Sequence, residues 1–390
     1  MRYSAFVLFL GVLTLAGCSD KETAEMPVNG VYPHLLKSEK EFVKELDKFS
    51  HKNDVESEKE KVRIKEKIFD MIAEDTTTLS HAFGSLDNDE FDIVTSPDKN
   101  LRIYVTTNDT NLMSMNLIQY RDDAGVIHVI NAEQWKKQIG NVTDDDLNVL
   151  FKQWIHNIYD FSCKDGSRLY VIISDENVNR EIMNHRISYT LAAYKMKNER
   201  LEPVEAFVSE GKTAQKMVRE FNDSYFWSYP DEQHHSFAEV DGVNHVLYVG
   251  NEVNNEPVDR YQCFQFNGTN LTDIGESAPF WLHQSLHKYK RLKYLCVSKS
   301  HHIRIDDMGN GLYRYASWPR TQKYADEPAM VVLGKETSIP EKDGSVSHAL
   351  SFTNDGYEYR ILLYPGRWGL YALEMEILKN GKVIQKDDLE

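Results

Sequence analysis

The stretch FDIVTSPDKNLRIYVTTNDT, residues 91–110, decides the fold class. Ser96-Pro97-Asp98-Lys99-Asn100 carries turn chemistry. Proline pre-sets a turn dihedral, and short Ser, Asp and Asn side chains bond to nearby backbone. Leu101, Ile103 and Val105 then alternate with Arg102, Tyr104 and Thr106. Successive strand side chains point to opposite faces, so this alternation predicts a hairpin turn entering a half-buried strand.

The same arrangement recurs along the chain. CKDGSRLYVIISDE (163–176), EVDGVNHVLYVGNE (239–252), DMGNGLYRYASW (307–318) and TNDGYEYRILLY (353–364) each join a Gly- or Asn-bearing turn to an aromatic-rich strand. Recurrence of this kind predicts a mainly β protein built of repeated antiparallel units. The intervals are irregular and mostly longer than propeller blades of roughly 40–50 residues. Sandwich-like stacking and an irregular propeller-like arrangement both stay open. Near the C-terminus, Lys379-Asn380-Gly381-Lys382 carries the Asn-Gly pair that favours a type I′ hairpin.

Helical signals flank this β texture. Ser38 and Glu41 have capping-box spacing, and Phe42, Leu46 and Phe49 fall on one helical face. Val62, Ile68, Phe69 and Ile72 repeat the pattern after a charged break, so two helices or one interrupted helix are predicted over roughly 37–74. Thr143 followed by Asp144-Asp145-Asp146 predicts a helix start with acids at the positive end of the dipole. That helix is expected to run into a strand near 155–162. A further brief helix is predicted at 212–221, with Met217, Val218 and Phe221 turned inward.

The N-terminus reads as an address. Arg2 precedes an apolar run from Ala5 to about Ala16. It is shorter than the roughly 20 residues of a membrane span, and has the layout of a secretory signal peptide. Leu15-Ala16-Gly17-Cys18 resembles the lipobox of bacterial lipoproteins. The resemblance implies cleavage before Cys18 and acylation of its thiol and new amine, with the bilayer as a partner. Each buried methylene contributes roughly 0.8 kcal/mol, so several acyl chains make release negligible. Ser19 follows the cysteine, and Ser19-Asp20-Lys21-Glu22 weakly resembles acidic export signals of surface lipoproteins in Bacteroidota. Outer-membrane localisation is expected, in either leaflet.

The expected organisation is a signal peptide over 1–17, a lipidated tether over 18–36, a helical segment over 37–85, a β-rich domain over 86–289 and a C-terminal β domain over 290–390. The tether is punctuated by Pro27, Gly30 and Pro33. The formal net charge of -16 over 390 residues argues against nucleic acid as a partner, since phosphate contacts need clustered Lys and Arg. Cys163, Cys263 and Cys296 lack C-x-x-C spacing. One disulfide is conceivable; three buried thiols are the favoured expectation.

Ser96 to Tyr104 resembles an SPDGKLRIYSWDT-like element of Bacteroidota lipoproteins without assigned activity, and Tyr313-Arg314-Tyr315-Ala316-Ser317-Trp318 resembles a second element of that group. Asn100 and Thr106-Thr107 depart from the commoner Gly and Ser-Trp. The terminal strands look more faintly like periplasmic lysozyme inhibitors, with no inhibitory residue that can be mapped.

No catalytic motif, cofactor motif or metal signature is present. His234-His235 and His301-His302 suggest a metal only if one of each pair joins an acid such as Asp306 or Glu239, because strand neighbours face opposite ways. Asp87-Asn88-Asp89 starts like a calcium loop but lacks the Gly and Glu such a loop needs. A surface of aromatic and arginine residues is the candidate binding site: Arg314, Tyr315 and Trp318 on one hairpin, Arg367 and Trp368 on a Gly-flanked turn. The leading expectation is a lipid-anchored envelope module that binds an unknown protein or glycan partner without turnover. A glycan- or peptidoglycan-acting hydrolase using paired carboxylates and a lysozyme-inhibitor-like protein are the alternatives.

Overall fold

The computed structural model describes residues 30–49, 55–86, 91–108, 113–140, 143–175, 186–197, 200–222, 238–250, 260–340, 346–365 and 371–389. The chain is mainly β, with repeated antiparallel sheets behind two N-terminal helices. Among the described residues no helix is long and apolar enough to cross a membrane.

Helix α1 spans Pro33–Asp47 and α2 spans Val55–Glu74. The first begins ahead of the expected Ser38 cap. Pro33 occupies its first turn, where a missing N–H costs nothing, and Ser38 lies inside the helix with Oγ directed at the His34 carbonyl, 3.3 Å away. Ile64, Ile68 and Ile72 of α2 are fully or almost fully buried. Their spacing forms one stripe that packs with Leu46 against Phe91, Tyr104 and Leu117 of the first sheet.

That sheet is a four-stranded meander of β1 (Phe91–Thr95), β2 (Leu101–Asn108), β3 (Met113–Arg121) and β4 (Ile127–Ile130). The predicted turn at 96–100 joins β1 to β2, with Lys99 at φ 59°. Helix α3 (Ala132–Ile139) starts with a reciprocal Asn131–Gln134 capping box, and α4 (Asp144–Phe151) begins where the Asp run predicts.

The second sheet takes β5 (Trp154–Ser162), β6 (Arg168–Asp175), β7 (Arg186–Lys197) and β8 (Arg200–Pro203). The third starts with β9 (Phe207–Ser209) and β10 (Lys212–Ala214). The chain then returns to the second sheet as β11 (Lys216–Asn222), paired antiparallel with β7. The helix predicted at 212–221 is therefore two strands. Met217 packs on a core and Val218 is exposed. Such an alternating pair fits a strand, and the free ladder positions of β7 fix the choice; the Phe221 side chain lies outside the described set. The third sheet is completed by β12 (Ala238–Asp241), β13 (Val246–Gly250), β14 (Tyr261–Phe266) and β15 (Leu271–Ser277).

These sheets stack face to face. Ile103, Val105 and Ile118 of the first share a core with Ile155, Ile158, Tyr170 and Ile172 of the second, sealed by Trp135 and Leu150 from α3 and α4. The opposite face of the second sheet, through Leu169, Val171 and Leu191, shares another with Phe207, Leu247 and Phe264 of the third. Tyr170, Val171 and Ile172 are all buried because β6 has a sheet on either side.

Residues 291–389 form an eight-stranded antiparallel sheet in chain order: β16 (Arg291–Val297), β17 (His301–Gly309), β18 (Leu312–Pro319), β19 (Met330–Pro340), β20 (Val346–Asn354), β21 (Tyr357–Pro365), β22 (Tyr371–Lys379) and β23 (Lys382–Leu389). Cys296 of β16 and Met375 of β22 belong to one core with Tyr315 and Phe352, so the sheet curls over itself. Its last turn has Asn380 at φ 50° and Gly381 at φ 72°, the left-handed pair expected of Asn-Gly.

Candidate functional site

The hairpin β17–β18 carries most of the residues expected at a binding surface, and they are buried. Tyr315 faces the interior of the curled sheet, with its ring 5.4 Å from Phe352. Trp318 is 0 % exposed; its indole N–H donates to the Asp326 carbonyl at 2.9 Å and its ring meets Tyr324. Arg314 is 5 % exposed. Its guanidinium donates to Asp306 at 2.6 and 3.0 Å and to the carbonyls of Leu286 and Lys288. Arg314, Tyr315 and Trp318 therefore form no exposed surface. Strand alternation also separates Tyr315 from the other two. Arg367 and Trp368 lie outside the described residues, as do Cys18, His234, His235 and Asp87 to Asp89.

Arg314 joins a cationic cluster that sequence reading did not assemble. Asp306, 0 % exposed, lies between Arg314 and Arg304, with Arg304 Nε 2.8 Å from its Oδ1. The Tyr289 ring lies within 4.2 Å of the Arg260 guanidinium carbon, 4.7 Å of that of Arg304 and 6.0 Å of that of Arg314. Cations on a ring face are stabilised by its quadrupole, more so away from water. The only signal in sequence was Asp306 and Arg314 at matching hairpin positions. Their pairing needed the register, which sets them opposite each other.

A second cluster forms at the SPDKN turn. Asp98 Oδ1 accepts from Ser96 Oγ at 2.6 Å and from the Asn100 N–H at 3.1 Å. Its Oδ2 accepts from the Tyr170 hydroxyl of the neighbouring sheet at 3.1 Å. Asp160 accepts the Asp98 N–H and an Arg168 N–H. Burial and the Asp98 charge push the Asp160 carboxyl above its ordinary value, against the pull of Arg168. Both carboxylates are consumed in joining sheets.

Among the described residues, an open groove of about 740 Å³ lies where turns from three sheets meet. Asp123 comes from the β3–β4 turn, Asp165 and Ser167 from the β5–β6 turn, and Thr269 and Asn270 from the β14–β15 turn. Lys195 and Glu202 project from β7 and β8. Asp165 orders its own turn by accepting from the Ser167 N–H and hydroxyl, and accepts from Lys195 Nζ at 2.8 Å. The Lys195 and Ser167 bonds hold the Asp165 carboxyl far below its ordinary range, so it is an anion that does not exchange protons near neutrality.

The carboxyl tuned near neutrality lies elsewhere. Burial pushes Glu239 on β12 up to about 7. It pairs across the strand with Tyr248, whose ring lies 4.9 Å from Phe280. No group of three or more His, Cys, Asp or Glu side chains converges among the described residues. His302 instead directs Nε2 at the Arg320 carbonyl, 3.3 Å away. Cys163, Cys263 and Cys296 are free and buried. Burial raises the Cys263 thiol to about 11 and that of Cys296 to about 12, which leaves both protonated and unreactive.

No family model matches the chain, and comparison with curated proteins finds none that is similar.

Proposed function

We propose that the protein is a lipid-anchored envelope protein, held in the outer membrane through Cys18, that binds a polar glycan in the groove around Asp165 and Lys195 without turning it over. The observation that carries this reading is the convergence of turns from three stacked sheets on one open groove of mixed polar and apolar lining. Sugar hydroxyls both donate and accept. Ser167, Thr269 and Asn270 supply both functions, Lys195 supplies donors, and Glu202 supplies acceptors. Turns held by a rigid scaffold are suited to recognition. Binding is favoured over hydrolysis because Asp165 stays ionised beside Lys195, whereas a general acid needs a value near the working pH.

Titration calorimetry of soluble peptidoglycan fragments into the purified full chain tests the groove. Binding is expected, with Lys195→Glu weakening it at least tenfold and chromatography recovering the fragments uncut. Absence of binding at millimolar fragment, or equal affinity in Lys195→Glu, removes the reading. The anchor has its own measurement. Cys18→Ser is expected to remove the protein from the outer-membrane fraction and to abolish its labelling by tritiated palmitate.

A further inference from the structure

Tyr32 stands where the described chain enters α1, and a buried histidine holds it. Its backbone N–H donates to His81 Nδ1 at 3.0 Å, and the Ala82 N–H donates to the Gly30 carbonyl at 2.9 Å. Tyr32 is also the N-cap of α1 and makes no side-chain cap bond, so the helix entrance relies on these backbone links.

His81 and Glu39 are both 0 % exposed, with His81 Nε2 3.5 Å from Glu39 Oε2. The other Glu39 oxygen accepts the backbone N–H groups of Gly84, Ser85 and Leu86, which docks α1 on the loop after α2. A ring nitrogen that accepts a hydrogen bond carries no proton, so neutral His81 bears its proton on Nε2, facing Glu39.

Adding a proton reverses the role of Nδ1. It becomes a donor aimed at the Tyr32 N–H, and two donors do not share a 3.0 Å contact. At Nε2 the same proton strengthens attraction to Glu39. We propose that His81 is an acid-operated latch at the entrance to α1: protonation at Nδ1 releases residues 30–32 from the body while Glu39 keeps α1 docked.

The charged surroundings fit a latch that is closed at neutral pH. Burial lowers the His81 value from 6.5, and Arg102 of β2 and His34 of α1 lower it further, against Glu39 of α1, which raises it. Arg102 is fixed by donating to the Thr78 and His81 carbonyls at 2.6 and 2.8 Å. Because the folded value lies below 6.5, the Tyr32 bond contributes fully above that pH and is lost as pH falls through the folded value. His34 lies 2.7 Å from Asp75, which ties the first turn of α1 to the residue that follows α2. With that contact and Glu39 in place, release extends through Tyr32 and ends there. The latch is independent of what is attached at Cys18 and of what the groove binds.

Hydrogen–deuterium exchange of the full chain in detergent, between pH 8 and pH 5 and corrected for intrinsic exchange, tests the latch. Protection over residues 30–36 is expected to fall up to about tenfold per pH unit below the folded value, with β6 unchanged. His81→Asn, which keeps an acceptor without titrating, is expected to abolish that dependence, and His34→Gln to retain it. Flat wild-type protection across the range overturns the latch, as does an unchanged slope in His81→Asn.

Discussion

Gly334 marks the point where β19 changes partners. Its N-terminal half pairs with β18 and its C-terminal half with β20. A Cβ there would collide with the Ser351 carbonyl oxygen and the Phe352 ring, so the close crossing admits only glycine. Backbone cannot step aside as a flexible side chain can. Gly334→Ala is expected to cost about 2–3 kcal/mol in a urea unfolding series. Glu239 makes the matching electrostatic prediction. A carboxyl raised from 4.5 to about 7 on folding contributes stability below pH 4.5 that is lost as pH rises through 7. Glu239→Gln is expected to be more stable than wild type at pH 8 by about 1 kcal/mol, a figure discounted for partial solvent exposure. The difference vanishes near pH 4, and thermal melts at both pH values check it. Neither residue announces its role in sequence. One role depends on a strand crossing, the other on how much water the fold removes.

Among the elements, turns were the most legible. SPDKN, DG and NG each formed the turn their residues dictate, since a turn's conformation depends on four or five neighbouring residues. What Asp98 does beyond its turn, binding Tyr170 of the next sheet, was not written locally. The 212–221 segment failed for a related reason. Its apolar positions suit a helix or a strand, and β7 decides between them. Both edge strands of the eight-stranded sheet carry irregular registers, at Lys293 in β16 and at Ile384 in β23. A bulge twists an edge and spoils its pairing with another chain. Lys386 adds charge to the β23 edge by pairing with Glu374 and Glu376. Deleting Ile384 is expected to straighten β23 and to produce concentration-dependent association. Sedimentation velocity of the deletion beside wild type measures it.

At the scale of the molecule, stacking sheets face to face leaves their turns gathered at an end. The groove arises there, assembled from residues as distant in sequence as Asp123 and Asn270. By itself the sequence determined the β class, the helical character of the N-terminal segment, the turn positions and the helix-to-strand passage ending in β5. Each rests on periodicity or turn chemistry spanning a few residues. Only the tertiary structure decided that Arg314, Tyr315 and Trp318 are interior. An aromatic on a strand looks the same in sequence whether water or another layer covers it. The Tyr289 cluster, the His81–Glu39 pair and the groove were decided the same way. Their members lie far apart along the chain, and packing and strand register bring them together.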